Sequence, residues 1–260
     1  MEVLTPRTLD EALRLKSEHP AAWPIQGGTD LMVTINFDRG RPEAMLNLNE
    51  VGELRGWSRA NGELRLGSGL TYAEIEHGPL RDVLPALAEA SRTVGSPQIR
   101  NRGTIGGNLG TASPAGDALP PLLIEHAEVE CSSVRGVRTV PLAEFVTGVK
   151  RNVLEPDELI TAVLLSPSAA PQTFMKVGPR NAMVIAVVSL AVSAGDELRA
   201  SFGSASPRPV LVTAARDEAD SFPERVAEAA SPIDDVRGTG LYRRHALRVL
   251  TERALKRVLV

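Results

Sequence analysis

Apolar and polar positions change period several times along the 260-residue chain. Leu9, Ala12, Leu13 and Leu15 recur at helical spacing behind Thr8 and Glu11, a capping-box pattern, and His19-Pro20 ends the segment. Ala21 to Ile25 is a short apolar run that breaks at Gly27-Gly28, as a strand feeding a loop does. Met45 to Leu48 and Glu63 to Leu66 alternate with period two, the signature of strands. Thr71 and Glu74 repeat the capping-box pattern ahead of a short helix, and a second helix is expected from Arg81 to Arg92. Gly95 to Gly116 is rich in Gly, Ser, Asn and Thr and reads as one long loop, a length that compact domains keep for function. A Leu-rich helix follows from Asp117 to about His126, then strands around Val129 and Val140.

The pattern changes at Ser166-Pro167-Ser168-Ala169-Ala170-Pro171, a small-residue connector that divides the chain into residues 1–166 and 172–260. Beyond it, Thr173 to Val177, Ile185 to Ala194 and Glu197 to Gly203 read as strands, the last two joined by a turn at Gly195-Asp196. The remainder reads as helical. In the final helix, from about Leu241, Leu247, Leu250, Ala254 and Val258 form one stripe, with Arg244, Arg248, Arg253 and Arg257 mostly off it. These features predict a mixed α/β first part and an α+β second part, without internal repeats.

Composition narrows the chemistry. The 29 basic and 32 acidic residues leave a net charge of −3, which argues against nucleic acid as a partner. The longest apolar stretch, Ala182 to Ala194, is interrupted by Ser189 and Ser193 and falls short of the roughly 18 residues of a membrane span. No basic, apolar leader opens the chain, so a cytoplasmic location is expected. Cys131 is the single cysteine; alone it can neither form an internal disulfide nor ligate an iron–sulfur cluster, and its alternating surroundings suggest a buried structural thiol. The four histidines lack ligand spacing, and no metal site is expected. Any redox chemistry therefore requires a bound organic cofactor.

Two glycine-rich stretches point to one. Ile25-Gln26-Gly27-Gly28-Thr29-Asp30-Leu31 and Thr104-Ile105-Gly106-Gly107-Asn108 each place paired glycines beside a side chain able to hydrogen-bond. Paired glycines admit close backbone approach to a ligand, and successive N–H groups can form an anion-binding concavity suited to a diphosphate. Either pair alone is equally a tight turn. There is no GxGxxG spacing and no GxxxxGK[ST].

Ile25 to Leu31, together with Ile99 to Asn108 continuing through Leu109-Gly110-Thr111-Ala112-Ser113-Pro114-Ala115-Gly116-Asp117, resembles the FAD-binding medium subunit of molybdenum hydroxylases of the aerobic carbon monoxide dehydrogenase and xanthine dehydrogenase type. Met175-Lys176-Val177-Gly178-Pro179-Arg180 and Phe202 to Val210 extend the likeness into the second part. The resemblance implies a two-subdomain FAD-binding fold of the vanillyl-alcohol-oxidase type followed by a C-terminal α+β domain. It implies that Gln26 to Leu31 and Thr104 to Asn108 cradle the diphosphate through backbone N–H groups. It also implies that Asp117 accepts bonds from cofactor hydroxyls, that Ile160 packs near the adenine or ring system, and that Lys176 lies near the isoalloxazine. Thr111 and Ser113 could bond the cofactor or only the turn, and Arg100 and Arg102 could only brace the loop. Without the resemblance, Lys176 is equally an edge-strand charge guarding against aggregation. The resemblance further implies partners, an iron–sulfur small subunit and a molybdenum large subunit in a heterotrimer that itself dimerises. The chain would take electrons from the iron–sulfur subunit and pass them to an external acceptor. A stand-alone FAD-binding protein and a cofactor-free scaffold remain the alternatives.

Overall fold

A computed structural model describes residues 1–259. Three larger sheets organise the described residues, beside a two-stranded ribbon of Val146–Gly148 and Arg151–Asn152. In the first, Glu2–Leu4, Ala44–Asn47 and Trp23–Ile25 lie side by side, all parallel. The Leu9–Glu18 helix buries Ala12 and Leu13 with Leu46 and Leu48 beneath it. The Thr8 hydroxyl accepts from Glu11 N–H at 3.2 Å, and the Glu11 carboxylate caps Arg7 N–H at 2.8 Å. The second sheet runs Trp57–Ala60, Glu63–Gly67, Leu159–Leu165, Glu128–Ser133, Gly136–Pro141, all antiparallel. Its middle strand, Leu159–Leu165, is covered on both faces, so its sequence shows no alternation to read. Cys131 lies buried in the neighbouring strand, and burial first, then Glu158, pushes its thiol up to about 11, which keeps it protonated.

The third sheet runs Gln172–Val177, Val188–Ala194, Glu197–Gly203, Val210–Ala215, again antiparallel. Its two faces differ in chemistry. Met175, Leu190, Val192, Leu198 and Phe202 pack on Leu247, Leu250, Ala254 and Val258 of the Gly240–Val258 helix, the stripe visible in the sequence. The opposite face carries Gln172, Phe174 and Lys176 in register with Ser193, Ala191 and Ser189. This smaller, more polar face receives the helices Pro85–Arg92 and Leu119–Ile124, with Ala86, Ala90, Ile124, Phe174 and Ala191 in one cluster.

Several expected elements are redrawn by the structure. The helix expected over Arg81 to Arg92 is two helices, Leu80–Val83 and Pro85–Arg92, because Pro85 bars Leu84 from helical angles (φ −129, ψ 64). The long loop Gly95 to Gly116 contains the helices Pro97–Arg100 and Ile105–Thr111, capped by the hydroxyls of Ser96 and Thr104. The helix expected from Asp117 to His126 spans only Leu119–Ile124. The strand expected from Ile185 begins at Val188, leaving Ile185 exposed. Where only helices were expected after Gly203, Val210–Ala215 pairs along Glu197–Gly203 as a fourth strand. Leu31 opens a helix, Leu31–Asn36, that buries none of its residues.

The connector Ser166 to Pro171 is fastened at both ends. Buried Glu125 accepts Ser168 N–H and the Gln172 side-chain amide, both at 2.7 Å. Glu89 accepts Phe174 N–H at 2.6 Å and the Thr173 hydroxyl at 2.8 Å. A carboxylate thus occupies an outward amide of an edge strand, which also blocks pairing with another chain.

Candidate functional site

The sequence Ile25 to Leu31 leaves the first sheet as a loop that returns as a short helix. Gly28 holds a left-handed φ of 73°, and a methyl on Gly27 would land on the Arg102 carbonyl, so both positions need glycine. The amides of Gly27, Gly28, Thr29, Asp30 and Leu31 donate to no protein acceptor among the described residues. Backbone donors are almost always paired when shielded from water, so a run of free ones in a half-buried loop is able to receive an anionic ligand.

The second glycine pair is built differently. Ile105 N–H donates to Leu70 O at 3.0 Å, Gly106 N–H to Ser68 O at 2.8 Å, Gly107 N–H to the Thr104 hydroxyl at 3.0 Å, and Asn108 N–H to Thr104 O at 3.0 Å. These four amides are engaged within the fold, unlike those of the first loop. Gly106 is needed for packing instead: a methyl there would stand 2.5 Å from Ser68 Cβ. Gly107 is exposed and faces open space apart from the Thr104 hydroxyl. The Asn108 side chain lies against Gly116, with its Oδ1 buried and unpartnered.

Thr111 ends this helix, Ala112 turns in left-handed geometry, and the Ser113 hydroxyl accepts Ala115 N–H at 3.3 Å, a turn-stabilising bond. Pro114 O accepts Ser204 N–H at 2.7 Å, docking the turn on the third sheet. The turn delivers Asp117 to Lys176, whose Nζ lies 2.5 Å from Asp117 Oδ2 and 3.2 Å from Thr93 O. Asp117 Oδ1 is buried without a hydrogen-bond partner among the described residues. Burial pushes the Asp117 carboxyl up to about 6, and the Lys176 charge and hydrogen bond pull the other way. Although Lys176 stands on an edge strand, its side chain is enclosed, which overturns the reading of an exposed anti-aggregation charge. Ile160 is buried in the second sheet's core, its Cδ1 directed at Gly110. The first loop thus abuts Arg102, the Ile105–Thr111 helix follows with Ile160 against Gly110, and the turn after that helix carries Asp117 to Lys176.

Sequence reasoning missed the cavity beside Gly27. It has a volume of about 240 Å³ and is lined by Gln26, Asn49, Arg55, Thr71, Arg102 and Thr104 among others. Asn49 and Arg55 come from short turns with no pattern of their own, and only the fold places them opposite the glycine loop. Tyr72 lies buried beneath Gly103, its hydroxyl pushed upward by burial and then by the Asp117 charge. Among the described residues no His, Cys, Asp and Glu group could hold a metal ion, and no helix is long and apolar enough to cross a membrane.

Free loop amides and buried, unpartnered side-chain oxygens are the groups that a cofactor with a diphosphate and hydroxyls would use. Residues 1–167 match the family described as the FAD binding domain in molybdopterin dehydrogenase, and the chain belongs to that family. It is 31% identical to a xanthine dehydrogenase FAD-binding subunit of Escherichia coli O157:H7, over 95% of this chain and 92% of that one. It is 37% identical to the nicotinate dehydrogenase FAD-subunit of Eubacterium barkeri, over 72% and 66%. Its fold matches CO dehydrogenase from Oligotropha carboxidovorans with a TM-score of 0.93 at 22% identity, over 99% of this chain and 97% of that one. Quinoline 2-oxidoreductase from Pseudomonas putida 86 matches with 0.91 at 25% identity, over 100% and 97%. The protein is an FAD-binding subunit of the molybdenum hydroxylase family, an oxidoreductase component.

Proposed function

We propose that this chain is the electron-transfer flavoprotein of a molybdenum hydroxylase, loaded by an iron–sulfur small subunit that draws on a molybdenum large subunit, and emptied by an external acceptor. The observation that carries this division of labour is Cys131: the one cysteine is buried in a sheet with a protonated thiol, so a cysteine-held cluster must sit on another chain. Bound FAD supplies a redox store that can be filled and emptied one electron at a time. The free amides of Gly27 to Leu31 hold its diphosphate, with Thr29 and Asp30 shaping the turn. Gly106 and Gly107 let the Ile105–Thr111 helix approach, and Asn108 and Asp117 offer their unpartnered oxygens to its hydroxyls. Ile160 backs that helix from the core. Lys176 is the residue that acts on the chemistry, its ammonium favouring negative charge that accumulates on the flavin, while Asp117 fixes where that ammonium sits.

Residues 1–166 and 172–260 act as two domains, a reading supported by a main hydrophobic cluster in each, with the smaller cluster of Ala86, Ala90, Ile124, Phe174 and Ala191 joining them. The assembly is a heterotrimer that dimerises, working in the cytoplasm. Purification of the tagged chain from its native host tests the partnership. Recovery of a second polypeptide carrying iron and acid-labile sulfide, in equal amount, is expected; a yellow chain that purifies alone under gentle conditions would favour a stand-alone flavoprotein.

A further inference from the structure

We propose that Arg102 and Arg55 form a cationic wall beside the glycine loop that binds the diphosphate on its adenylate side and so sets a preference for FAD over FMN. The inference rests on the FAD reading and adds two side chains to a cradle otherwise made of backbone.

Three arginines on neighbouring turns behave differently. Arg100 pairs with Glu76 at 2.8 Å, with both side chains largely buried, so its charge is neutralised within the fold. Arg102 instead donates to Gln26 O at 3.3 Å and to Asn49 Oδ1 at 3.2 Å, and Arg55 donates to Asn49 O. All three acceptors are neutral, and neither guanidinium forms an ion pair among the described residues. The two Arg102 bonds lie at the long end of the usual range. Phosphate oxygens would replace such acceptors at little cost and bond more strongly, because both partners are then charged.

Position supports the same reading. The Arg102 carbonyl abuts Gly27, and its guanidinium bonds the carbonyl of Gln26, one residue from the first free amide of the loop. Both arginines line the cavity of about 240 Å³ beside that loop. Two acids bear on it. Glu74 also lines the cavity, with its carboxylate held by Thr71 N–H at 2.8 Å and the Thr71 hydroxyl at 2.6 Å. Asp30 stands exposed within the loop and makes no cap bond. The loop amides therefore sit beside an uncompensated carboxylate, and a dianionic diphosphate needs cations close by to settle there. Arg55 and Arg102 are the cations placed to provide them. FMN lacks the adenylate phosphate and loses that contact.

The full-length chain, freed of flavin, would be titrated with FAD and with FMN by quenching of flavin fluorescence over a range of salt concentrations. Wild type, Arg102→Met, Arg55→Met and Arg102→Lys would be compared, with thermal melts of each flavin-free protein. Each Met variant is expected to weaken FAD at least about tenfold, the loss of a charge-assisted bond. It should also flatten the dependence of log Kd on log salt, change FMN binding far less, and leave the melt in place. Arg102→Lys should recover part of the loss. Unchanged FAD affinity and salt slope in both Met variants would overturn the proposal. Equal losses for FAD and FMN with a lowered melt would also overturn it, by making the arginines braces like Arg100. Wild-type protein that binds neither flavin would instead break the FAD reading on which the proposal rests.

Discussion

Lys176 Nζ meets Asp117 Oδ2 at 2.5 Å across the junction between the two halves of the chain, with only 6% and 7% of the side chains exposed. Two charges are thereby removed from water, and one carboxylate oxygen is left unpartnered. Burying such a pair gives little net stability, whereas removing one member strands the other. On the proposed function, fixing the position of the ammonium explains the arrangement better than stability does.

Lys176→Met should therefore have two effects. Stranding Asp117 should destabilise the protein by about 3–5 kcal/mol in denaturant unfolding. In protein that retains flavin, the reduction potential should fall, because the cation no longer favours the reduced anion. Asp117→Asn added to Lys176→Met should recover much of the stability without recovering the potential. A potential unchanged in a spectroelectrochemical titration would reduce Lys176 to a structural role.

The raised carboxyl of Asp117 gives a pH signature. Between its ordinary value of 3.8 and about 6, the folded protein keeps a proton that the unfolded chain has released. Stability then falls as pH rises through this window, since the unfolded state binds fewer protons. The contribution is fully present below about 4 and lost above about 6. Asp117→Asn should remove this component from the stability–pH curve of the flavin-free protein; a curve of identical shape would show that Asp117 does not titrate there.

The glycines separate by neighbour. Gly106→Ala places a methyl against Ser68 and should cost about 1–3 kcal/mol. Gly27→Ala drives a methyl into the Arg102 carbonyl and should also lower flavin content, by moving the loop that carries the free amides. Gly52→Ala, with open space around it, should stay within about 0.5 kcal/mol. Chemical denaturation alongside flavin absorbance distinguishes the three.

Glu89→Ala should destabilise by about 1–3 kcal/mol, because Phe174 N–H loses its acceptor at the domain junction. Glu89→Gln, which keeps an acceptor, should cost less. Equal effects of both in thermal melts would point to lost charge instead.

Local signals were legible where the chemistry is local. The capping box at Thr71 and Glu74 forms with both bonds made. Leu247, Leu250, Ala254 and Val258 form the buried stripe that their spacing implied. Ser96 and Thr104 carried cap signals as well, yet the glycine, proline and asparagine around them read as loop. Leu159–Leu165 and Val210–Ala215 escaped because one lacks alternation and the other follows Pro207 and Pro209. The glycine loops suggested a ligand, but sequence could not show that the amides of Gly27 to Leu31 are free while those of Ile105 to Asn108 are engaged. For Ile105 and Gly106 that difference depends on Leu70 and Ser68, more than thirty residues away, while Gly107 and Asn108 bond the nearby Thr104. Lys176 was visible, whereas its partner Asp117 is set by tertiary packing across 59 positions.

Anaerobic reduction of the purified single chain, followed by flavin absorbance, tests the division of labour most directly. Dithionite should bleach the bound FAD, and a substrate of the hydroxylase should leave it oxidised until an iron–sulfur subunit and a molybdenum subunit are added, after which substrate should bleach it. Substrate-driven bleaching in the single chain would contradict the account and make this protein a self-sufficient oxidoreductase.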